Sequence, residues 1–268
     1  LDREQPPSED EQFESYIEAL DAFPEGRIVV RTLDIGGDKP IPYLELPDEE
    51  NPFLGNRGIR RSLGADSDLF ETQLRALLRA AAAGDGTLSV MFPLVATLDE
   101  LTAALDAVER VARDLDTEGI EYATPELGVM IETPAAIFMA EAFADKVDFL
   151  SIGTNDLAQY VMAADRENEA VADLHDPQQP AVLRAIKRAV EAANDHDAWI
   201  GMCGEMAGDP ELTELLIGLG LDELSMSAVT VPAVKANITK IDRSEAVSRI
   251  DRALTKNTKT MVNETGTQ

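Results

Sequence analysis

The residues of this chain that could do chemistry gather at a few places. Glu132 follows the apolar run Leu127-Gly128-Val129-Met130-Ile131, Asn155 and Asp156 follow Ser151-Ile152-Gly153, and Cys203 follows Ile200-Gly201-Met202. Arg31 and Asp34 close another run, Arg27 to Leu33, and Arg57 reads as the end of the next strand. Two carboxylates from separate strands make a minimal divalent-metal site, because Mg2+ takes one or two such ligands and leaves the rest of its octahedron to substrate oxygens and water. Glu132 and Asp156 qualify. A phosphorylated, metal-chelating substrate would also need cations, and the planar fork of arginine binds oxyanions in pairs. Arg31, Arg57 and Arg166 are the candidates, with Lys39 as a point charge.

Each of these residues also has a plainer reading. Strand-end carboxylates are often helix caps. For Glu132 the better cap is Thr133, with Pro134 at the first helical position, which frees the glutamate. Thr154 or Asn155 could cap the helix that starts near Asp156, and Asp156 could merely complement the helix dipole. Arg60 and Arg61 read as surface ion pairs. Cys203 lies in Gly201-Met202-Cys203-Gly204-Glu205, where glycines let backbone approach a ligand. A thiol beside an enolate carbon can serve as general acid, and the alternative is an inert core cysteine. His175 and His196 sit in polar settings and read as solvated.

The elements that must hold these residues alternate strand and helix. Strands are expected at 27–33, 88–92, 127–131, 147–152, 199–203 and 223–226. Helices are expected at about 11–23, 69–83, 98–115, 134–143, from 156, at 181–194 and 210–219, with two more at the end. Prolines 40, 42, 47 and 52 keep the stretch before Gly55 irregular. Regular β-then-α alternation with short apolar strands predicts an α/β fold of the (β/α)8 barrel type, whose strand carboxyl ends converge on one mouth. The expected organisation is one barrel domain over residues 1–255 and a disordered tail over 256–268.

Composition narrows the partners. Against 23 Lys and Arg stand 51 Asp and Glu, a formal charge of −28. Such a surface repels nucleic acid and anionic membranes. Spread over helix faces and loops, it suggests a salt-rich cytoplasm, or else an ordinary acidic enzyme. The single cysteine rules out an internal disulfide, and the acidic start and lack of a long apolar run point to a cytoplasmic protein.

Over roughly residues 1 to 240 the chain resembles enzyme I of the bacterial sugar phosphotransferase system, the phosphoenolpyruvate–protein phosphotransferases. The resemblance is carried by Arg-Thr-Leu-Asp-Ile-Gly-Gly-Asp-Lys (31–39), Glu-Asn-Pro-Phe-Leu-Gly-Asn-Arg (50–57) and Met-Phe-Pro-Leu (91–94). It continues in Gly-Val-Met-Ile-Glu-Thr-Pro-Ala (128–135), Asp-Phe-Leu-Ser-Ile-Gly-Thr-Asn-Asp-Leu (148–157), Asp165-Arg166 and Gly-Met-Cys-Gly-Glu (201–205). The resemblance implies a phosphoenolpyruvate/pyruvate barrel and the C-terminal, homodimer-forming domain of such an enzyme, acting in the first step of sugar transport. It implies that Arg31, Arg57 and Arg166 contact phosphoenolpyruvate, that Asn155 touches its phosphate or carboxylate, and that Glu132 and Asp156 hold Mg2+. Cys203 resembles the acid that protonates C3 of the enolate.

Two departures accompany it. The phosphate-accepting histidine segment and the helical domain that docks the phosphocarrier protein are expected on a missing N-terminal part. The family strand Gly-x-x-Arg-Thr-Glu-Phe, expected before Asp2-Arg3, is also missing, and with it the first barrel strand and one arginine. Asn56 stands where the family commonly has Trp. The other readings are a fragment of pyruvate phosphate dikinase or phosphoenolpyruvate synthase, which the Ile35-to-Lys39 loop disfavours, and a non-catalytic dimerisation or substrate-sensing module.

Overall fold

The structure, a computed structural model, describes residues 3–35, 41–44, 46–255 and 257. Lys39 and the tail expected over 256–268, apart from Asn257, lie outside the described residues. The chain divides into two compact units, residues 1–129 and 130–268.

In the first unit, helix α1 (Glu9–Ala22) starts from a capping box. The Ser8 hydroxyl accepts the N–H of Glu11 at 3.2 Å, and the Glu11 carboxylate accepts the N–H of Ser8 at 2.9 Å. Strand β1 (Arg27–Arg31) follows, then the short helix α2 (Ile59–Ser62) and the long α3 (Ser67–Ala83). Helix α1 lies on α3, burying Leu20 completely and clasping Arg75 at 2.6 Å through Glu9. Hydrogen bonds that Arg75 donates to Glu118 and Glu9 hold its guanidinium still more firmly protonated than free arginine. Strand β2 (Thr87–Phe92) is buried from Leu88 onward, and helix α4 (Leu98–Glu118) leads to β3 (Glu126–Ile131). Strand β1 pairs in parallel with β2, Arg31 opposite Met91, and β2 with β3, Phe92 opposite Val129.

Two expectations need correction here. Arg57 does not end a strand: among the described residues, 46–58 hold only a 3-10 turn at Pro52–Leu54, and Arg57 lies between it and α2. The prolines that forbid a ladder there also remove the strand. Nor is Arg61 a surface ion pair. It is 4% exposed and gives a two-pronged bond to Asp66, with Nη2 to Oδ1 at 2.9 Å. Arg60 is the surface partner expected, 3.6 Å from Glu100.

In the second unit, helix α5 (Pro134–Ala144) begins as expected, with Thr133 accepting the N–H of Ala136 at 3.1 Å and Pro134 at the first position. Strand β4 (Phe149–Gly153) runs straight into α6 (Thr154–Met162), and α7 (Pro180–Asn194) precedes β5 (Trp199–Cys203). Helix α8 (Thr213–Leu219), strand β6 (Glu223–Ser225), α9 (Val231–Ile238) and α10 (Arg243–Leu254) complete it. Strands β4, β5 and β6 are parallel, with Gly153 opposite Cys203 and Cys203 opposite Ser225. Cys203, expected to be reactive, therefore stands in register with the ends of β4 and β6.

The described residues thus hold six strands in chain order, parallel within each unit. This is the α/β class expected, as a partial set of (β/α)8 barrel strands. No helix of the described residues is long and apolar enough to cross a membrane.

The acidic surface carries a prediction. With 51 acidic residues against 23 basic ones, self-repulsion should unfold the chain in dilute buffer. In molar KCl, where the screening length is about 3 Å, it should refold. Circular dichroism along a salt titration would read this, and full stability without salt would overturn it.

Candidate active site

The two candidate arginines of the first unit, Arg31 and Arg57, are organised by one carboxylate. Asp34, its side chain 4% exposed, accepts from Arg57 Nη2 at 2.9 Å and Nε at 3.4 Å and sits 3.7 Å from Arg31 Nη1. Gln73 Oε1 accepts the N–H of Leu33 at 3.0 Å, which directs the chain leaving β1 and so places Asp34. Arg57 is buried and lies 5.8 Å from the ring of Phe53, whereas the Arg31 side chain is 44% exposed. The planar fork of Arg57 is thus held flat by a bidentate pair.

In the second unit the groups lie around the ends of β4 and β5. Glu132 is buried, and it presses on Gly153 so closely that a Cβ there would fall 3.0 Å from both the Glu132 Cβ and its Oε2. Gly153 is required for that approach. Three residues on, in the first turn of α6, Asp156 is 9% exposed and 3.8 Å from Arg166 Nη1. The backbone position that caps α6 is Gly153, with no side-chain cap bond, so neither Thr154 nor Asn155 is spent on capping.

Thr154 instead donates to the Cys203 carbonyl at 3.2 Å, tying the start of α6 to the end of β5. Gly204 follows at φ 115°, and a Cβ there would meet Thr154 Oγ1 at 2.5 Å, so both its conformation and its space call for glycine. The Cys203 thiol, half-buried, donates to the Ile152 carbonyl at 3.5 Å. Asn155 and Cys203 line one open cavity of about 510 Å3, together with Glu205, Ser225, Ser227 and Thr230. His175 is not solvated as expected: it is half-buried, and its Nε2 stands 2.9 Å from the Asn155 carbonyl. His196 is exposed, its Nδ1 3.0 Å from the Ala192 carbonyl.

The donor set suits Mg2+. Two hard carboxylates flank Gly153, and among the described residues no group of three or more His, Cys, Asp or Glu side chains is gathered. Hard oxygen donors of this kind are the ones Mg2+ takes.

Residues 1–243 match the family model of the PEP-utilising enzymes, PEP-binding domain. The chain belongs to this family. Every candidate site residue placed above falls within the matched stretch. The chain is 67% identical over 265 residues to a phosphoenolpyruvate-protein phosphotransferase of Haloferax volcanii, covering 98% of this chain and 47% of that protein. It is 50% identical over 259 residues to the phosphoenolpyruvate-protein phosphotransferase of Listeria monocytogenes, covering 96% of this chain and 45% of that one. The chain therefore spans about half the length of the curated relatives it matches. Among solved structures, a citrate lyase from Burkholderia xenovorans aligns with a TM-score of 0.48 at 20% identity, over 69% of this chain and 56% of that one.

For this PEP-binding domain, sequence reasoning missed three contributors. Asp34 was noted as a strand-end acid but not as the anchor of two arginines. Thr154 reads in sequence only as a possible helix cap and His175 only as solvated, yet they hold the Cys203 and Asn155 backbones. The hydroxyl of Ser225 was open to the strand-end rule that found Cys203, since it ends the very next strand, and Ser227 follows two residues on.

Proposed function

We propose that this chain is the phosphoenolpyruvate-binding part of a phosphoenolpyruvate–protein phosphotransferase. The observation that carries the reading is the placement of Asn155 and Cys203 on one cavity, beside Gly153, against which Glu132 packs, and the first turn of α6, where Asp156 meets Arg166. Arg31, Arg57 and Arg166 bind the oxygens of the phosphoryl and carboxylate groups, and Lys39 adds a positive charge. Asn155 orients the substrate from the cavity wall. Glu132 and Asp156 would hold Mg2+, which neutralises charge on the transferred phosphoryl group and on the enolate oxygen.

The phosphoryl group leaves for a histidine on another domain of a longer protein, which in turn serves a phosphocarrier protein. The bond to the enol oxygen breaks, leaving the enolate of pyruvate. The S–H of Cys203 then gives its proton to C3, pyruvate departs, and the thiolate takes a proton back from water through the open cavity. The domain is read as a homodimer acting in the cytoplasm.

Calorimetry of phosphoenolpyruvate binding tests this. Binding is expected to need Mg2+ and to weaken at least about tenfold in Asp156→Asn, a loss of about 1.4 kcal/mol or more. Equal affinity with Mg2+ and with excess EDTA would remove the metal assignment. No binding under either condition would remove the substrate.

A further inference from the structure

Arg166 lies beyond the end of α6, on a segment with no regular structure between Met162 and Glu169, yet its guanidinium returns to the first turn of that helix. One residue of α6 holds that segment at two points. Gln159, 6% exposed, uses two oxygens on the departing chain: its main-chain carbonyl accepts the N–H of Ala164 at 3.1 Å, and its side-chain Oε1 accepts the N–H of Arg166 at 3.1 Å. Between them Ala163 takes a left-handed conformation, φ 51°, which reverses the chain. Asp156 and Gln159 stand three apart and so share one face of α6. The first receives the side chain of Arg166 and the second its backbone.

We infer that Gln159 is a positioning residue, which fixes the backbone of Arg166 so that its guanidinium is set beside Asp156 before substrate arrives. A long side chain on an irregular segment would otherwise spend conformational entropy on each binding event. An amide oxygen suits the task because it accepts the N–H without adding a third negative charge near Glu132 and Asp156. The inference rests on the reading of Arg166 as a phosphoenolpyruvate-binding group.

A double-mutant cycle on the whole chain separates the two ideas. Gln159→Met keeps length and loses the acceptor; it is expected to weaken phosphoenolpyruvate binding in Mg2+ about tenfold, the fold-change of one hydrogen bond that matters. In an Arg166→Ala background, which keeps the N–H but has no guanidinium to place, the same change should cost less than about twofold. Were Gln159→Met to unfold the chain, Gln159→Asn asks the same question, since its amide falls one methylene short. An equal loss in both backgrounds would make Gln159 merely structural and overturn the inference, as would parent-like affinity in the single variant. If Arg166→Ala itself binds like the parent, the substrate reading of Arg166 fails and takes the inference with it. A clear loss in Arg166→Ala beside a silent Gln159→Met overturns the positioning role alone.

Discussion

Replacing Cys203 with serine is expected to slow hydrogen exchange at C3 of pyruvate by at least about 100-fold in the reconstituted phosphotransferase, while phosphoenolpyruvate binding stays within about threefold of the parent. The two side chains differ by one atom, so the cavity shared with Asn155 keeps its shape. A hydroxyl is a far weaker acid than a thiol, and it would hold its proton where Sγ now lies 3.5 Å from the Ile152 carbonyl. Deuterium incorporation into the pyruvate methyl group, followed by NMR, measures the step directly. Unchanged exchange would reduce Cys203 to a packing residue, and lost binding would place it in substrate recognition instead.

The second large effect is expected at Gly153, which carries no functional group. Gly153→Ala puts a methyl carbon 3.0 Å from Cβ and Oε2 of Glu132 and from Sδ of Met130, closer than such atoms rest. The Met130 thioether can yield; the buried Glu132 carboxylate must turn away from its present position. Overpacking of this kind costs about 1–3 kcal/mol of stability. The larger consequence should be a drop of about 10- to 100-fold in Mg2+-supported binding, the range seen when the group that orients a metal ligand is changed. Mg2+ titration at fixed phosphoenolpyruvate would register it. Parent-like Mg2+ dependence would mean that Glu132 is not a ligand.

The periodic part of the fold was legible in the residues. Trp199–Cys203 is the strand expected, and Thr133 with Pro134 opens α5 as their types require. Boundaries moved by a few residues: β4 is Phe149–Gly153 rather than a run from Val147, and the helix expected from Pro210 starts as a 3-10 turn before α8. These signals are local, repeating every two or every 3.6 residues. The supports of the site are not. Asp34 reaches Arg57 across 23 positions, and His175 reaches Asn155 across 20, pairings that no local period records. A buried arginine such as Arg61 also looks the same in sequence as an exposed one, because what buries it is its partner Asp66 and the packing around both. Functional groups at strand ends could therefore be named from spacing, while the residues that hold them in place became visible only in three dimensions.

One feature of β5 also bears on how the chain reports on itself. Trp199 starts the strand that Cys203 ends, and its ring lies 4.3 Å from that of Phe149 with only 5° between the planes. It is the chain's single tryptophan. Its ultraviolet emission is therefore one undivided signal, arising at the foot of the strand whose other end carries the thiol. A ligand that shifts β5 against β4 would alter the overlap of the two rings, and the intensity of that emission would follow occupancy in solution without any attached dye.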